Sequence, residues 1–378
     1  MLTDQAADAF RTLTGTDPVG VWSGPGRINL IGEHTDYNDG FVLPFALPQA
    51  AFLAASPRTD GRWRLRSVDL DDTVELGPDE LVPGTPGWHS YLAGVVWALR
   101  EAGHEVGGAD LVLTSDVPLG AGLSSSAAIE CAALTALADL NGLDIAPMDR
   151  AKLARVAENA YVGAPTGLLD QAASTLCVAD HALFLDCRTL ETRQVPLAVT
   201  AAGLEILVID TRTRHSHVDG EYAARRASCE EACRLLGVPA LRDVTDLDDA
   251  LARLPEQTGR RVRHVVTENQ RVLDAMTALA AGDYPGLGRL MTASHASMRD
   301  DYEITEASVD LAVEVALAEG ALGARMTGGG FGGCVLALVS ADRVDAVSEA
   351  VTAAFAAAGL PQPVTFLGRP SAGARRVR

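Results

Sequence analysis

Lysine is almost absent from this chain of 378 residues: Lys152 is the only one, and arginine carries nearly all of the positive charge. A Walker phosphate-binding loop places a lysine beside its glycines, and a protein-kinase fold places one on a strand over the ATP phosphates. Lys152 has no glycine-rich neighbourhood and lies in an apparent helix, which argues against both sites and against a dinucleotide-binding loop. A nucleotide site in this chain would have to use backbone dipoles, hydroxyl groups, Mg²⁺ and arginine.

Basic residues are also fewer than acidic ones: the chain has 31 Lys and Arg and 50 Asp and Glu, which gives a formal net charge of −19. Such a surface repels nucleic acid and anionic membranes, so we expect neither as a partner. No uninterrupted apolar run reaches the roughly 18 residues of a membrane span. The first residues, MLTDQAADAFRTL, lack the basic and then apolar order of a signal peptide, and we expect none.

Cysteine is sparse, and its six residues are scattered and mostly flanked by apolar residues. Cys229 and Cys233 are four residues apart and would share one face of a helix, which leaves a metal pair as one interpretation. No second Cys/His pair has metal-site spacing, so we predict reduced core thiols in a cytoplasmic protein.

Apolar material is plentiful, with 48% hydrophobic residues, and the length predicts two domains or one large one. Short apolar runs alternating with turns over residues 19–70 predict strands, whereas the composition past residue 204 favours long helices. We predict an α+β chain with domains 1–195 and 196–378 and the boundary inside 187–203. The later helices are expected over about 220–236, 260–281, 285–298, 306–319 and 342–358, followed by a last strand in PVTFLG.

Glycine and serine are concentrated in PLGAGLSSSAA, residues 118–128. Glycines let backbone N–H groups approach an anion closely, the serines add hydroxyl donors, and the helix beginning there presents unpaired N–H groups. These features predict a phosphate-binding loop. The alternative is a serine-capped helix after an ordinary glycine turn.

A second glycine-rich segment, GARMTGGGFGGC, covers residues 323–334. Its glycines remove side chains where the backbone must approach another group closely, which favours a wall of the active site. A tight hairpin turn is the alternative.

Carboxylates in two further segments are candidate site residues. Asp170, in VGAPTGLLDQAAS, follows an apolar pair and precedes small residues, so we expect it to be partly buried and to need a partner. An ordinary capping aspartate is the alternative. Glu158 lies among apolar residues of the preceding helix and is either a Mg²⁺ ligand or a surface residue.

The segment GRINLIGEHTDYNDG, residues 26–40, has a high density of polar groups around an apolar Leu30–Ile31 step. Its acceptors suit a metal or a polyhydroxylated ligand, and Arg27 is a candidate to stabilise charge on a transferring phosphoryl group. A solvated turn between two strands is the alternative. The polar residues are Arg27, Asn29, Glu33, His34, Asp36, Asn38 and Asp39.

Taken in this order, these segments resemble the GHMP small-molecule kinases and, within them, the galactokinase family. HASMRDDYEIT (295–305) and GLLDQ (167–171) resemble the same family, and the resemblance runs collinearly along nearly the whole chain. The segment 26–40 is highly specific, because mevalonate and homoserine kinases do not carry it.

The resemblance implies a ribosomal-protein-like β-α-β domain at the N-terminus and a ferredoxin-like domain at the C-terminus, with the active site between them. It implies that MgATP donates its γ-phosphoryl group to the anomeric hydroxyl of α-D-galactose. Galactose and ATP would be the partners and Mg²⁺ the cofactor, and we expect a monomer.

The resemblance also implies roles for individual residues. Arg27 and Asp170 would be the catalytic pair, with Ser126 and Glu158 binding Mg²⁺ and Trp88 stacking near adenine. The sugar would be held by Glu33, His34, Asp36, Gly167, Asp170 and Tyr222. The phosphates would be held by Gly120, Ala121, Gly122, Leu123, Ser124, Ser125 and Ser126.

Two questions stay open from the sequence. Asp170 either accepts the proton of the sugar hydroxyl or only orients that hydroxyl while Arg27 lowers the barrier. The alternatives to galactose phosphorylation are a catalytically silent ATP- and galactose-binding sensor and a kinase for N-acetylgalactosamine or arabinose. The intact GLSSSAA segment, with Arg27 and Asp170 present, favours an active kinase.

Overall fold

The computed structural model describes residues 1–214 and 218–378 and has the predicted α+β composition. The α-helices are α1 (Leu2–Thr14), α2 (Ser90–Glu101), α3 (Ser125–Leu140), α4 (Pro147–Val156), α5 (Leu169–Leu176), α6 (Val218–Leu236), α7 (Leu247–Arg253), α8 (Glu256–Ala281), α9 (Tyr284–Ser297), α10 (Ala307–Ala318) and α11 (Val344–Ala357). The strands are β1 (Gly20–Asn29), β2 (Phe41–Val42), β3 (Pro44–Arg58), β4 (Trp63–Ser67), β5 (Asp72–Leu76), β6 (Gly108–Ser115), β7 (His181–Asp186), β8 (Thr192–Pro196), β9 (Leu204–Arg214), β10 (Gly323–Thr327), β11 (Gly332–Ser340), β12 (Val364–Leu367) and β13 (Arg375–Arg376). Segments of π-helix cover Ala157–Val162 and Met298–Tyr302.

The sheet of the first half of the chain has the order β13-β1-β3-β6-β4-β5, and β1 is buried along its whole length. The alanine-rich α3 lies so close to β1 that a Cβ at Gly24 would be 2.1 Å from the Ala128 carbonyl oxygen. Only glycine allows this approach. The register of β1 on β3 shifts between Pro25 and Arg27, and this bulge redirects the end of the strand where Arg27 lies.

The second half of the chain forms an antiparallel sheet with the order β10-β11-β9-β12. In chain order its elements run strand, helices, two strands, helix and strand, which is the ferredoxin-like arrangement that the family resemblance implied. The glycine-rich segment 323–334 is a hairpin, and its loop faces the first half of the chain. The hairpin interpretation and the active-site interpretation therefore describe the same residues.

Several elements differ from the sequence-based expectations. The helix that was expected to carry Glu158 is divided into α4 and a π-helical segment, and Glu158 lies on the latter. The chain does not finish with β12: β13 returns to the first sheet and pairs with Trp22 and Ser23 of β1. A two-residue strand has no periodicity, so sequence patterns could not reveal it. A separate small sheet has the order β2-β7-β8.

Cys131, Cys177, Cys187, Cys229 and Cys233 are reduced thiols, as expected from the spacing of the cysteines, and Cys131, Cys177, Cys229 and Cys334 are buried. Throughout residues 1–214 and 218–378, the helices are too short or too polar to cross a bilayer.

A buried ion pair joins the two halves of the chain. Arg325, on β10, has no solvent exposure, and its Nη2 lies 2.6 Å from Oε2 of Glu33 in the loop after β1. Its Nη1 donates to the carbonyl oxygens of Asn29 and Leu30 at 3.1 and 2.9 Å. Glu268 of α8 lies 3.8 Å away and also accepts the Gly32 backbone N–H at 3.0 Å.

Replacing Arg325 by leucine should destabilise the fold strongly, because Glu33 and Glu268 would stay buried with less positive charge beside them. We expect a loss of about 3–5 kcal/mol in the free energy of unfolding, measured by urea denaturation. Arg343→Leu is the matched control, since Arg343 pairs with Glu319 in an exposed position and should cost less than about 1 kcal/mol. Equal losses in the two variants would contradict a structural role for the buried pair.

Candidate active site

A cavity of about 270 Å³ lies where the end of β1 and the loops before α3 and α5 meet the β10–β11 loop. Both halves of the chain contribute to its wall. The lining residues are Arg27, Asn29, Glu33, His34, Asp36, Gly120, Gly122, Leu123, Ser124, Ser125, Ser126, Ala164, Pro165, Thr166, Gly167, Leu169, Asp170, Tyr222, Gly328 and Gly329. Most of the residues singled out in the sequence therefore come together in one place.

Arg27 and Asp170 form an ion pair at the centre of this cavity. Nη2 and Nε of Arg27 lie 2.6 and 2.8 Å from Oδ1 of Asp170, and the two side chains are 8% and 21% exposed. The other carboxylate oxygen accepts a hydrogen bond of 2.7 Å from the Ser124 hydroxyl. Asp170 is thus held by side chains far away in the sequence, and the capping-aspartate alternative is wrong.

The loop before α3 has the conformation of an anion-binding loop. Gly120 and Gly122 have φ values of 67° and 76°, and Ser124 is also left-handed at 60°. Ser124 makes no side-chain cap to α3, because its hydroxyl donates to Asp170. The serine-capped-helix alternative is therefore wrong, and the first N–H groups of α3 are available to an anion in the cavity.

Glu158 lies directly behind the phosphate-binding loop and is only 4% exposed, so the surface alternative is wrong. Its Oε2 accepts from Thr166 Oγ1 at 3.0 Å and from Gln171 Nε2 at 2.5 Å, and the Ser126 side chain lies beside the carboxylate. Burial raises the pKa of Glu158 above its ordinary value. A hydroxyl beside a carboxylate suits Mg²⁺, which prefers oxygen ligands and completes its shell with water and phosphate oxygens.

Glu33 borders the cavity, but protein donors already occupy its carboxylate. Oε2 accepts from Asn29 Nδ2 and Arg325 Nη2, each at 2.6 Å. Oε1 accepts from the Thr327 hydroxyl at 3.1 Å and the Gly328 backbone N–H at 2.8 Å. Glu33 thus fixes the glycine-rich loop against the segment after β1, a role that the sequence analysis did not include.

Asp36 faces Asp170 across the cavity and packs against the backbone of Gly167. A Cβ at Gly167 would lie 1.7 Å from Oδ2 of Asp36, so the position requires glycine. Burial, and secondarily the charge of Asp170, raise the pKa of Asp36 to about 6. In the ligand-free protein the surroundings of Asp36 therefore disfavour the ionised form of its carboxylate relative to the protonated form.

His34 and Tyr222 form the opposite wall of the cavity. Their rings are 5.1 Å apart, and His34 adopts a left-handed φ of 60°. Nδ1 of His34 lies 2.7 Å from the Tyr37 hydroxyl, and Nε2 lies 3.1 Å from the Gly329 carbonyl oxygen. Burial lowers the pKa of His34 to about 3, so its imidazole is neutral near neutral pH.

Three residues with predicted site roles do not line the cavity: Trp88, Ala121 and Glu158, which lies behind the phosphate-binding loop. Trp88 donates its indole N–H to Asp72 at 2.8 Å, and its stacking near adenine stays a prediction. Ala121 is buried within the phosphate-binding loop. Conversely, Arg325 and Thr327 were missed as supports of the site, because they lie 292 and 294 residues from their partner Glu33 in the sequence.

Family models match three segments of the chain. The GHMP kinases N terminal domain matches residues 90–177, which contain the phosphate-binding loop and Asp170, and the GHMP kinases C terminal domain matches residues 275–357. The Galactokinase galactose-binding signature matches residues 8–57, which contain Arg27, Glu33, His34 and Asp36. Fold and site together define a GHMP kinase, an ATP-dependent small-molecule kinase.

Relatives extend this assignment over the full length. Galactokinase of Streptomyces coelicolor is 56% identical over 98% of this chain and 97% of its own, and galactokinase of Mycobacterium tuberculosis is 48% identical over 94% and 99%. The crystal structure of Lactococcus lactis galactokinase complexed with galactose superposes with a TM-score of 0.95 at 32% identity, covering 100% of both chains. A mevalonate kinase of Methanococcus jannaschii, at 17% identity and a TM-score of 0.69 over 93% and 98%, shares the fold alone. This chain belongs to the galactokinase family.

Replacing Asp36 by asparagine should stabilise the ligand-free protein in a pH-dependent way. Its folded-state pKa of about 6 lies above the ordinary value of 3.8, so the folded chain loses stability as pH rises through that interval. We expect the variant to match the wild type near pH 4 and to exceed it at pH 8 by at most about 3 kcal/mol. Urea denaturation at both pH values measures this, with the exposed Asp79→Asn as control. A difference that does not change with pH would contradict it.

Proposed function

We propose that this chain transfers the γ-phosphoryl group of MgATP to the anomeric hydroxyl of α-D-galactose, giving galactose 1-phosphate and ADP. The observation that carries the proposal is the position of the Arg27–Asp170 pair. It lies between a lysine-free anion-binding loop on one side and the residues of the galactose-binding signature on the other. The Lactococcus lactis relative, which was crystallised with galactose, supports the choice of sugar.

In this mechanism Asp170 orients the anomeric hydroxyl, and its own position is fixed by Arg27 and Ser124. Arg27 then stabilises the negative charge that is distributed over the transferring group in the transition state. Most of the catalytic contribution is positioning and neutralisation of charge, because phosphoryl transfer needs little covalent chemistry from the protein. Proton transfer to Asp170 remains the second candidate role for this carboxylate.

The nucleotide phosphates would be bound by the backbone between Gly120 and Ser126 and by the first turn of α3. Ser126 and Glu158 would hold Mg²⁺, which supplies positive charge to the phosphate oxygens when bound. Gln171 and Thr166 orient Glu158 for this purpose. The arrangement replaces the lysine of other nucleotide sites with backbone dipoles, a metal ion and Arg27.

The sugar would occupy the part of the cavity between Asp36, His34 and Tyr222. Asp36 and Gly167 are in contact, so a sugar hydroxyl that approaches them meets a carboxylate and a backbone that carries no side chain. We propose Asp36 as a ligand that recognises the axial 4-hydroxyl of galactose. Glu33 would contribute chiefly by holding the loop that carries His34, because protein donors occupy its oxygens.

The proposal also includes the cellular location, the oligomeric state and the domain boundary. The chain would act in the cytoplasm as a monomer. Its domains would divide at residues 195 and 196, with β13 added to the first domain. A silent sensor of ATP and galactose, and a kinase for N-acetylgalactosamine or arabinose, are the competing functions.

Asp170→Ala should lower galactose-dependent ADP release by about 10³-fold while the protein still folds, because the hydroxyl loses its orienting group. Asp79→Asn, at an exposed position, is the control for handling and stability. Asp170→Asn separates the two roles, since it retains partial activity if Asp170 only orients the hydroxyl and none if it is a base. Wild-type ADP release that galactose does not stimulate would overturn the phosphorylation of galactose and leave the silent sensor or a kinase for another sugar.

A sugar panel with MgATP, with the phosphorylated product identified by mass spectrometry and NMR, tests the substrate. We expect galactose to be strongly preferred over glucose, N-acetylgalactosamine and arabinose in kcat/KM. Asp36→Ala should raise the KM for galactose by at least about tenfold, because a carboxylate hydrogen bond to the sugar is lost. Unchanged KM and turnover in this variant would contradict the role of Asp36.

A further inference from the structure

A continuous line of polar side chains runs behind His34 and away from the cavity. The Tyr37 hydroxyl lies 2.7 Å from Nδ1 of His34 and 2.9 Å from the Tyr302 hydroxyl. The Tyr302 hydroxyl in turn lies 3.1 Å from Sγ of Cys229. At the other side of the imidazole, Nε2 is 3.1 Å from the carbonyl oxygen of Gly329.

The direction of every hydrogen bond in this line follows from one fixed acceptor. A backbone carbonyl can only accept, so Nε2 of the neutral His34 must carry the proton and Nδ1 must be the acceptor. Tyr37 then donates to Nδ1, which leaves its oxygen to accept from Tyr302. The Tyr302 oxygen is left to accept from the thiol of Cys229.

The surroundings keep this line of donors dry. Tyr302 is fully buried and Cys229 is 1% exposed, and burial raises the pKa of both groups so that each keeps its proton. The Tyr302 ring packs between the imidazoles of His34 and His264, at 5.0 and 4.5 Å. His264 does not hydrogen-bond to the Tyr302 hydroxyl, because its two ring nitrogens contact the Ser297 hydroxyl and the Glu33 carbonyl oxygen, at 3.0 and 3.1 Å.

We propose that Cys229, Tyr302 and Tyr37 are positioning residues that hold His34 in its Nε2–H tautomer, so that His34 and the Gly329 carbonyl form a donor–acceptor pair for one hydroxyl of the sugar. This inference rests on the proposed function. A hydroxyl that replaces the direct contact of 3.1 Å between the two groups accepts from Nε2–H and donates to the carbonyl oxygen. In the other tautomer it would face two acceptors with a single proton and leave one of them unpaired.

Tyr37 becomes decisive once the sugar is bound. In the free protein Gly329 alone would favour the Nε2–H tautomer. A hydroxyl, unlike a carbonyl, can also donate, so its arrival would allow Nε2 to become an acceptor. The Tyr37 hydroxyl opposes this, because protonation of Nδ1 would reverse all three hydrogen bonds of the line. Sγ of Cys229, which already accepts from Asn38 Nδ2 at 3.6 Å, would then have to accept a second hydrogen bond from Tyr302.

The tautomer can be measured directly by NMR of protein labelled with ¹⁵N-histidine. In the wild type we expect His34 as the Nε2–H tautomer both without sugar and with saturating galactose. In Tyr37→Phe we expect a mixture of tautomers in the galactose complex. Tyr284→Phe is the matched control, because its hydroxyl contacts only the Ala198 carbonyl at an exposed position, and it should behave as the wild type.

Steady-state kinetics should separate sugar binding from the chemical step. We expect Tyr37→Phe to raise the KM for galactose about three- to tenfold with little change in kcat, since one hydrogen bond of the bound sugar is weakened. A panel of single-deoxy galactoses identifies the hydroxyl: its removal costs affinity in the wild type and less in Tyr37→Phe. Cys229→Ala should shift KM in the same direction by a smaller factor, and Cys229→Ser should restore it because serine keeps the donor.

The outcomes distinguish this inference from the proposed function. The inference is overturned if His34 is the Nδ1–H tautomer in the wild type, or if Tyr37→Phe keeps one tautomer and an unchanged KM. If Tyr37→Phe does not fold, an equal KM in Cys229→Ala and Cys229→Ser overturns it instead. If the wild type does not phosphorylate galactose, the proposed function fails, and an Nε2–H signal that persists in the sugar-free protein still supports the assigned direction of the hydrogen bonds.

Discussion

The buried contact between Arg325 and Glu33 determines whether this chain has an active site at all. It fastens β10 of the second half to the loop after β1 of the first half, and the cavity is the space that remains between them. A single buried charge pair offers little net stability, because desolvation offsets its attraction. Its value here is specificity: the two carboxylate oxygens of Glu33 accept four different donors, so only one placement of the glycine-rich loop satisfies them all.

The site could be predicted from the sequence where its chemistry is local. The glycines and serines of residues 118–128 and the polar segment 26–40 are continuous patterns. Because Lys152 is the only lysine, the sequence also excluded the lysine-dependent kinds of phosphate site. Contacts between distant residues could not be read in this way. Arg27 and Asp170 are 143 residues apart, and Arg325 and Glu33 are 292 apart, so neither distance nor partner follows from periodicity. Glu158 was ambiguous for the same reason, since its burial depends on Gln171 and Ser126.

In the fold, too, the elements with a regular local pattern could be predicted and the irregular ones could not. Long helices of the second half were placed to within a few residues, because α8, α9 and α10 have helical periodicity and clear ends. The π-helical segments were not foreseen, although Glu158 lies on one and Tyr302 on the other. Helices of this kind occur mostly at functional sites, where a widened turn re-aims a side chain. Both segments put a polar group of the site where a regular α-helix would have rotated it elsewhere.

The short strand β13 also imposes an order on how the protein is made. Residues 375–376 pair with Trp22 and Ser23, which lie five and four positions before Arg27 along the same strand. The Val21 backbone forms hydrogen bonds with Val377 and Arg378. The edge of the first sheet is therefore filled by residues that are synthesised after the whole ferredoxin-like unit. During translation β1 has an open edge, which is a site for wrong strand pairing, until the end of this sequence arrives to cover it.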